Sequence, residues 1–130
     1  MGLVTPLGIG VEQVWSRLLK GESGAGAIQK FDTSDLPAKI ACQVPLGAAA
    51  PDFNADDWMP PKEQRRVDDF IIFGMGAAVQ ALEDADWHPQ TEHDQLRSGV
   101  LLGSGIGGLP GIEEAAVTLH EKGPRRISPF

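Results

Sequence analysis

Apolar positions along this chain fall into short periodic runs separated by Gly- and Pro-rich stretches. In residues 11–20, Val11, Val14, Trp15, Leu18 and Leu19 recur at intervals of three and four, which predicts one apolar face of a short helix. Gly21 follows Lys20 directly and supplies a helix stop, with a cation in the last turn. Residues 1–10 are punctuated too often by Gly and Pro for a helix and read as a loop or strand remnant. Residues 39–44 alternate weakly, with Ile40, Cys42 and Val44 on one face of a predicted strand. The strongest signal runs from about residue 63 to 85, where Val67, Phe70, Ile71, Met75, Ala78, Val79, Leu82 and Ala85 keep helical spacing. Gly74 and Gly76 interrupt it at a cost of about 1 kcal/mol each relative to Ala, so the expectation is a buried helix packed closely on another backbone.

Residues 99–103 (Gly-Val-Leu-Leu-Gly) form an apolar run of the buried-strand type, and residues 104–111 form a Gly-rich turn. Residues 112–122 then read as a helix with Ile112, Ala115, Ala116 and Leu119 inward, ended by Gly123-Pro124. The intervening segments read as loops: turn chemistry around Phe31-Asp32-Thr33-Ser34, a Pro-rich connection at 46–61 and a polar loop at 87–95. Two convincing strands are too few for a sheet that covers three helices. The expectation is an α/β fold, incomplete at both ends, and a piece of something larger.

Composition narrows the function classes. The 130 residues are 42% hydrophobic and 22% charged, too apolar for a chain disordered throughout and the size of one domain. Eleven basic against 18 acidic residues give a net charge of −7, which argues against a nucleic-acid binder working through net charge. One Cys excludes an internal disulfide framework and a multi-thiolate metal site, and fits a reducing compartment. No apolar run approaches the roughly 18 residues of a membrane span. A soluble, cytoplasmic chain without a membrane partner is expected.

Three local features are candidates for chemistry. Gly103-Ser104-Gly105-Ile106-Gly107-Gly108 satisfies G-x-G-x-x-G between a predicted strand and a predicted helix, the arrangement that sets a helix N-terminus against a pyrophosphate. It lacks the second strand ending in an acid about 20 residues on, and Pro110 and Gly111 delay the helix. A Gly-rich loop lining another ligand channel, with Ile106 as its one sizeable side chain, is the better reading. Lys62-Glu63-Gln64-Arg65-Arg66 places three cations at the start of the long helix, where they oppose the macrodipole, and Arg125-Arg126 forms a second basic spot. They are either ordinary solvated surface or a docking site for an anionic partner. Cys42, flanked by Ile40 and Val44, is expected to be a buried structural thiol, since Lys39 is the only local group that would favour a thiolate. His88, His93 and His120 lack metal-ligand spacing, and the adjacent pairs Asp68-Asp69 and Glu113-Glu114 diverge along helices and read as solvated positions or N-terminal charges.

Several stretches in order together resemble one family: Gly2-Leu3-Val4-Thr5-Pro6-Leu7-Gly8, Trp15 with Leu18-Leu19, Gly21-Glu22-Ser23-Gly24, Phe31-Asp32-Thr33-Ser34, Lys62-Glu63-Gln64-Arg65-Arg66, the 103–108 motif, and Gly123-Pro124-Arg125-Arg126-Ile127-Ser128-Pro129-Phe130. The chain resembles, over residues 1–130, the N-terminal segment of a type II, elongating β-ketoacyl-[acyl carrier protein] synthase. The resemblance implies a partial thiolase-like fold from a layered α/β/α/β/α architecture, a homodimer, and fatty-acid elongation without a cofactor. It implies an acyltransferase reaction: acyl transfer from carrier protein to a Cys nucleophile, decarboxylation of malonyl-carrier protein, and Claisen condensation, with two His serving the decarboxylation. That Cys and both His are expected outside these residues, so the chain alone is expected to be inactive and to fold poorly by itself. By the same resemblance Ile106 lines the acyl pocket, Phe130 lies near that pocket and the dimer contact, and Lys62, Arg65, Arg66, Arg125 and Arg126 receive acyl carrier protein. Two alternatives stay open: a non-catalytic condensing-enzyme-like subunit of the chain-length-factor type, and a nucleotide-binding module.

Overall fold

A tight hairpin opens the chain in the computed structural model, which describes residues 1–128. Strand β1 (Val4–Thr5) pairs antiparallel with β2 (Gly8–Ile9), Val4 opposite Ile9 and Thr5 opposite Gly8. The Thr5 hydroxyl closes the turn, donating to the Gly8 carbonyl at 3.2 Å and accepting from the Leu7 N–H at 3.1 Å. Gly8 has φ +111°, and a Cβ there would stand 2.7 Å from the Pro51 carbonyl oxygen, so only glycine fits. Helix α1 (Val11–Leu19) follows as its spacing predicts, with Val14 buried. It ends at Gly21, whose N–H donates to the Leu18 carbonyl at 2.9 Å while that of Glu22 donates to Arg17 at 3.1 Å. The Arg17 guanidinium donates to the Leu7 carbonyl at 2.8 Å and ties the helix back to the hairpin.

A second ribbon joins β3 (Ala25–Ala27) to β4 (Ile40–Cys42), antiparallel with Gly26 opposite Ala41. The loop between them carries the predicted turn: the Ser34 N–H and hydroxyl donate to the two Asp32 carboxylate oxygens at 3.0 and 2.9 Å. Those bonds, the backbone one foremost, hold the Asp32 carboxyl below the usual carboxylate range. Cys42 is exposed, contrary to the expected buried thiol, because among the described residues no layer covers the ribbon's outer face, and its neighbour Ile40 is 68% exposed too.

The core sits between the first hairpin, the 45–59 connection and the long helix. Phe53, Met59 and Ile72 are its buried centre, with Val4, Ile9, Val44, Trp58, Val67 and Phe73 packed around them. Phe53 stacks on Trp58 at 6.1 Å between ring centroids and meets Phe73 edge-on at 5.0 Å. The predicted 63–85 helix is broken in two. Helix α2 (Pro61–Gln64) is a single turn and α3 (Asp69–Asp84) is the long element, separated by Asp68 in extended backbone (φ −77°, ψ 155°). Val67 keeps the apolar spacing across the break because it packs on the core from the junction itself.

The α3 glycines have different surroundings. A Cβ at Gly76 would stand 2.8 Å from the Phe53 ring and 3.2 Å from Trp58, whereas one at Gly74 would meet nothing within 4 Å. Close backbone approach to α3 does occur, but Gly2 supplies it, its α-carbon lying against Ala77 and Gln80. The Leu3 N–H donates to the Gln80 side chain at 3.3 Å along the same seam.

Beyond α3 the chain departs further from the sequence reading. The polar 87–95 segment contains the start of α4 (Glu92–Arg97), capped by Thr91, whose hydroxyl accepts from the Asp94 N–H at 3.1 Å. Residues 99–103 form no strand: Val100, Leu101 and Leu102 are 87%, 98% and 75% exposed, with no strand beside them among the described residues. Helix α5 (Leu109–Lys122) begins earlier than predicted, because Pro110 in a first turn loses no hydrogen bond the helix could have made. Ile112, Ala115, Ala116 and Leu119 do not turn into a core, since no α5 residue is buried. Gly123, at φ +79°, ends the helix as expected.

A compact monomer of 13.9 kDa would expose about 6,700 Å² by the surface–mass relation. This chain exposes 10107 Å², about half as much again. Leu7, Val14, Phe53, Met59 and Ile72 are the buried hydrophobics among the described residues, a thin core for the area left open. Prepared alone, the 130-residue chain should bind 8-anilinonaphthalene-1-sulfonate and melt over a broad range in near-ultraviolet circular dichroism. A sharp cooperative transition with no dye binding would contradict this description.

Candidate functional site

The basic residues are positioned by the break between α2 and α3. Pro61 starts α2 with φ already set for a helix, and Gln64 fastens its other end by donating to the Asp56 carboxylate at 2.8 Å and the Met59 carbonyl at 2.7 Å. Arg65 caps the turn, and the Arg66 N–H donates to the Glu63 carbonyl at 2.9 Å. Lys62, Arg65 and Arg66 therefore lie on and after a short turn, not at the start of the long helix. The macrodipole conflict inferred from the sequence does not arise at α3, which has Asp68 and Asp69 at its own N-terminus. Asp69 also pairs with Lys30 at 2.6 Å on the surface.

Across from this corner runs α5, followed by a 3₁₀ turn (Pro124–Arg126) that swings Arg126 back toward it. Between them lies an open groove of about 710 Å³. Arg65, Arg66 and Arg126 line it together with Asp68 and Glu114, and Val67, Ile71, Ile112 and Ile127 contribute apolar wall. Three guanidinium groups thus meet two carboxylates on one concave surface of a chain that is acidic overall. All three arginines are exposed, so their field reaches solvent and is open to screening by salt.

The predicted site residues separate into groups. Arg65 and Arg66 come together with Arg126 from the far end of the chain; Lys62 and Arg125 do not line the groove. Ile106 stands in the Gly-rich turn, 71% exposed, and lines neither the groove nor the shallower hollow on the β3–β4 ribbon. Phe130 lies outside the described residues. Asp68 reads from the sequence, with Asp69, as a solvated position or an N-terminal charge, and the pair does stand at the start of α3. In the structure Asp68 is half-buried, and its carboxylate lies against Gly108 and Gly111 at the start of α5. Thr118 and Ser128, also in the groove, carried no sequence signal.

The 103–108 motif does not take the geometry of a dinucleotide site. No strand leads directly into it, and the Asp68 carboxylate already lies at the helix N-terminus that a pyrophosphate would need. Among the described residues no three His, Cys, Asp or Glu side chains gather in a way that could hold a metal ion, and no helix is long and apolar enough to cross a membrane.

Comparison with known proteins bears on this arrangement. Residues 1–130 match the family described as beta-ketoacyl synthase, N-terminal domain. The 3-oxoacyl-[acyl-carrier-protein] synthase 2 of Rhizobium meliloti (strain 1021) is 58% identical over 130 residues, covering 99% of this chain and 31% of that protein. The protein of the same name from Vibrio harveyi is 42% identical over all of this chain and 30% of its own length. The mitochondrial 3-oxoacyl-[acyl-carrier-protein] synthase of Arabidopsis thaliana is 39% identical, again over all of this chain and 31% of its own length. The chain spans a little under a third of the length of these curated relatives.

Proposed function

The chain belongs to the beta-ketoacyl synthase family, matching its N-terminal domain, and from that premise we propose that it is the N-terminal segment of an elongating 3-oxoacyl-[acyl carrier protein] synthase. It supplies the carrier-docking surface and part of the acyl-pocket wall. The observation that carries the docking role is the gathering of Arg65, Arg66 and Arg126 on one groove in a chain of net charge −7. Carrier proteins of this pathway are acidic, and a local cationic surface steers such a partner whatever the net charge. The exposed 99–103 run and the uncovered β3–β4 ribbon fit a layered α/β/α/β/α thiolase-like architecture, in which further strands and helices cover both. A cytoplasmic homodimer is part of the same reading, with Phe130 near the acyl pocket and the dimer contact.

The reaction requires groups these residues do not supply. An acyl chain leaves the carrier thiol for a Cys thiolate of the enzyme. Malonyl-carrier protein then loses carbon dioxide, and the carbanion so formed attacks the acyl carbon, expelling the Cys thiolate and leaving a 3-oxoacyl thioester on the carrier. Cys42 is not that nucleophile. It lies exposed at the end of a ribbon strand that leads into a loop, and not at a strand-to-helix turn.

Four variants of the natural-length protein test the assignments. Arg65→Glu with Arg66→Glu should weaken binding of acyl carrier protein by roughly tenfold or more at low ionic strength, and by less as salt rises. Lys62→Ala and Arg125→Ala, outside the groove, should each cost less. Equal affinity at every salt concentration would remove the docking role. Ile106→Phe should lower kcat/KM for long acyl chains while short-chain turnover is kept; equal losses for both would remove the pocket-wall role.

A further inference from the structure

We infer that Asp68 is a positioning residue that holds the end of the Gly-rich turn and the first turn of α5 against the cationic corner, and so sets where Ile106 stands. The inference rests on the reading of Ile106 as pocket wall. Asp68 projects from a fixed point: its backbone carbonyl accepts from the Ile71 N–H at 3.0 Å, and its extended φ and ψ make the corner between α2 and α3. An aspartate here would ordinarily cap its own helix, but the Asp68 side chain makes no such bond to α3. The carboxylate reaches across to α5 instead.

What receives it is a cradle of two glycines. A Cβ at Gly111 would lie 2.9 Å from one Asp68 carboxylate oxygen and 3.4 Å from the other, and a Cβ at Gly108 would overlap the carboxylate outright. Neither position is forced to be glycine by its backbone: of the glycines in this turn only Gly107 has a positive φ, +79°. The space they leave is therefore taken by Asp68. The electrostatic sign agrees. Helix α5 has no acidic residue in its first turn and no side-chain cap, so Asp68 brings an anion to a helix N-terminus that lacks one of its own. Ile106 is two residues from Gly108 in the same turn, so the point at which Gly108 is held limits where Ile106 can stand.

The test measures Asp68→Ala, Gly108→Ala and the double variant in the natural-length protein, each with a long and a short acyl-carrier substrate. Asp68→Ala and Gly108→Ala should each shift the long-to-short kcat/KM ratio by roughly fivefold, equivalent to about 1 kcal/mol. The double variant should lie nearer the parent than Gly108→Ala alone, because the added methyl then has room. Equal loss for both chain lengths, or strictly additive effects, would overturn the inference. Asp68→Asn keeps the volume; should the Ala variant fail to fold, an unchanged ratio in Asp68→Asn would overturn it equally. If Ile106→Phe leaves the ratio unmoved, the pocket-wall reading falls separately. Non-additive melting temperatures then still decide whether Asp68 and Gly108 meet.

Discussion

The packing of the Phe53 ring against Gly76 is the contact on which the rest of this structure depends. Phe53 is 1% exposed, and the missing side chain at Gly76 allows its ring to reach the surface of α3. Its backbone is equally committed: the Phe53 N–H donates to the Pro45 carbonyl at 2.7 Å and its carbonyl accepts from the Gly47 N–H at 3.2 Å. Through that bulged loop the first hairpin is held as well, the Ile9 N–H donating to the Pro51 carbonyl at 3.1 Å. Hairpin, loop and long helix therefore share one anchor, and burial of an aromatic ring of this size stabilises by about 2–3 kcal/mol.

What lies outside that anchor is held by polar contacts and short turns. The β3–β4 ribbon, the 99–103 run and α5 each present apolar side chains to solvent, in a chain that exposes about half as much surface again as a compact domain of this mass. In the proposed enzyme these are the surfaces on which the remaining layers pack. The groove is the exception. Its walls come from the described residues themselves, Arg65, Arg66 and Asp68 lining it together with Glu114 and Arg126.

The parts of this fold set by local chemistry were legible in the sequence. Helix α1, its Gly21 stop, the Asp32–Ser34 turn and the Gly123 helix end each need only neighbouring residues. The core face of α3 was legible for the same reason, but its beginning was not. Val67 continues the apolar spacing although α3 starts only after Asp68, whose backbone is extended, and no periodicity distinguishes a residue on a helix from one beside it. Residues 99–103 have the composition of a buried strand, yet a strand exists only through its neighbours. Cys42 was misplaced by the same logic, since burial needs a second layer. That Arg126 lines one groove with Arg65 and Arg66 is not legible in spacing, because the two stretches are about 60 residues apart. Asp68 is legible as a charge at a helix N-terminus, but its approach to Gly108 and Gly111 is not, because those residues lie far along the chain.

The account connects one electrostatic fact, a cationic groove on an acidic chain, to one chemical outcome. The most direct measurement is the mass of the carrier-bound product after the natural-length protein is mixed with acyl-carrier and malonyl-carrier protein. The account predicts a 3-oxoacyl-carrier species two carbons longer than the acyl chain supplied, with release of carbon dioxide. An unextended acyl chain and intact malonyl-carrier protein, under conditions where both carriers bind, would contradict it.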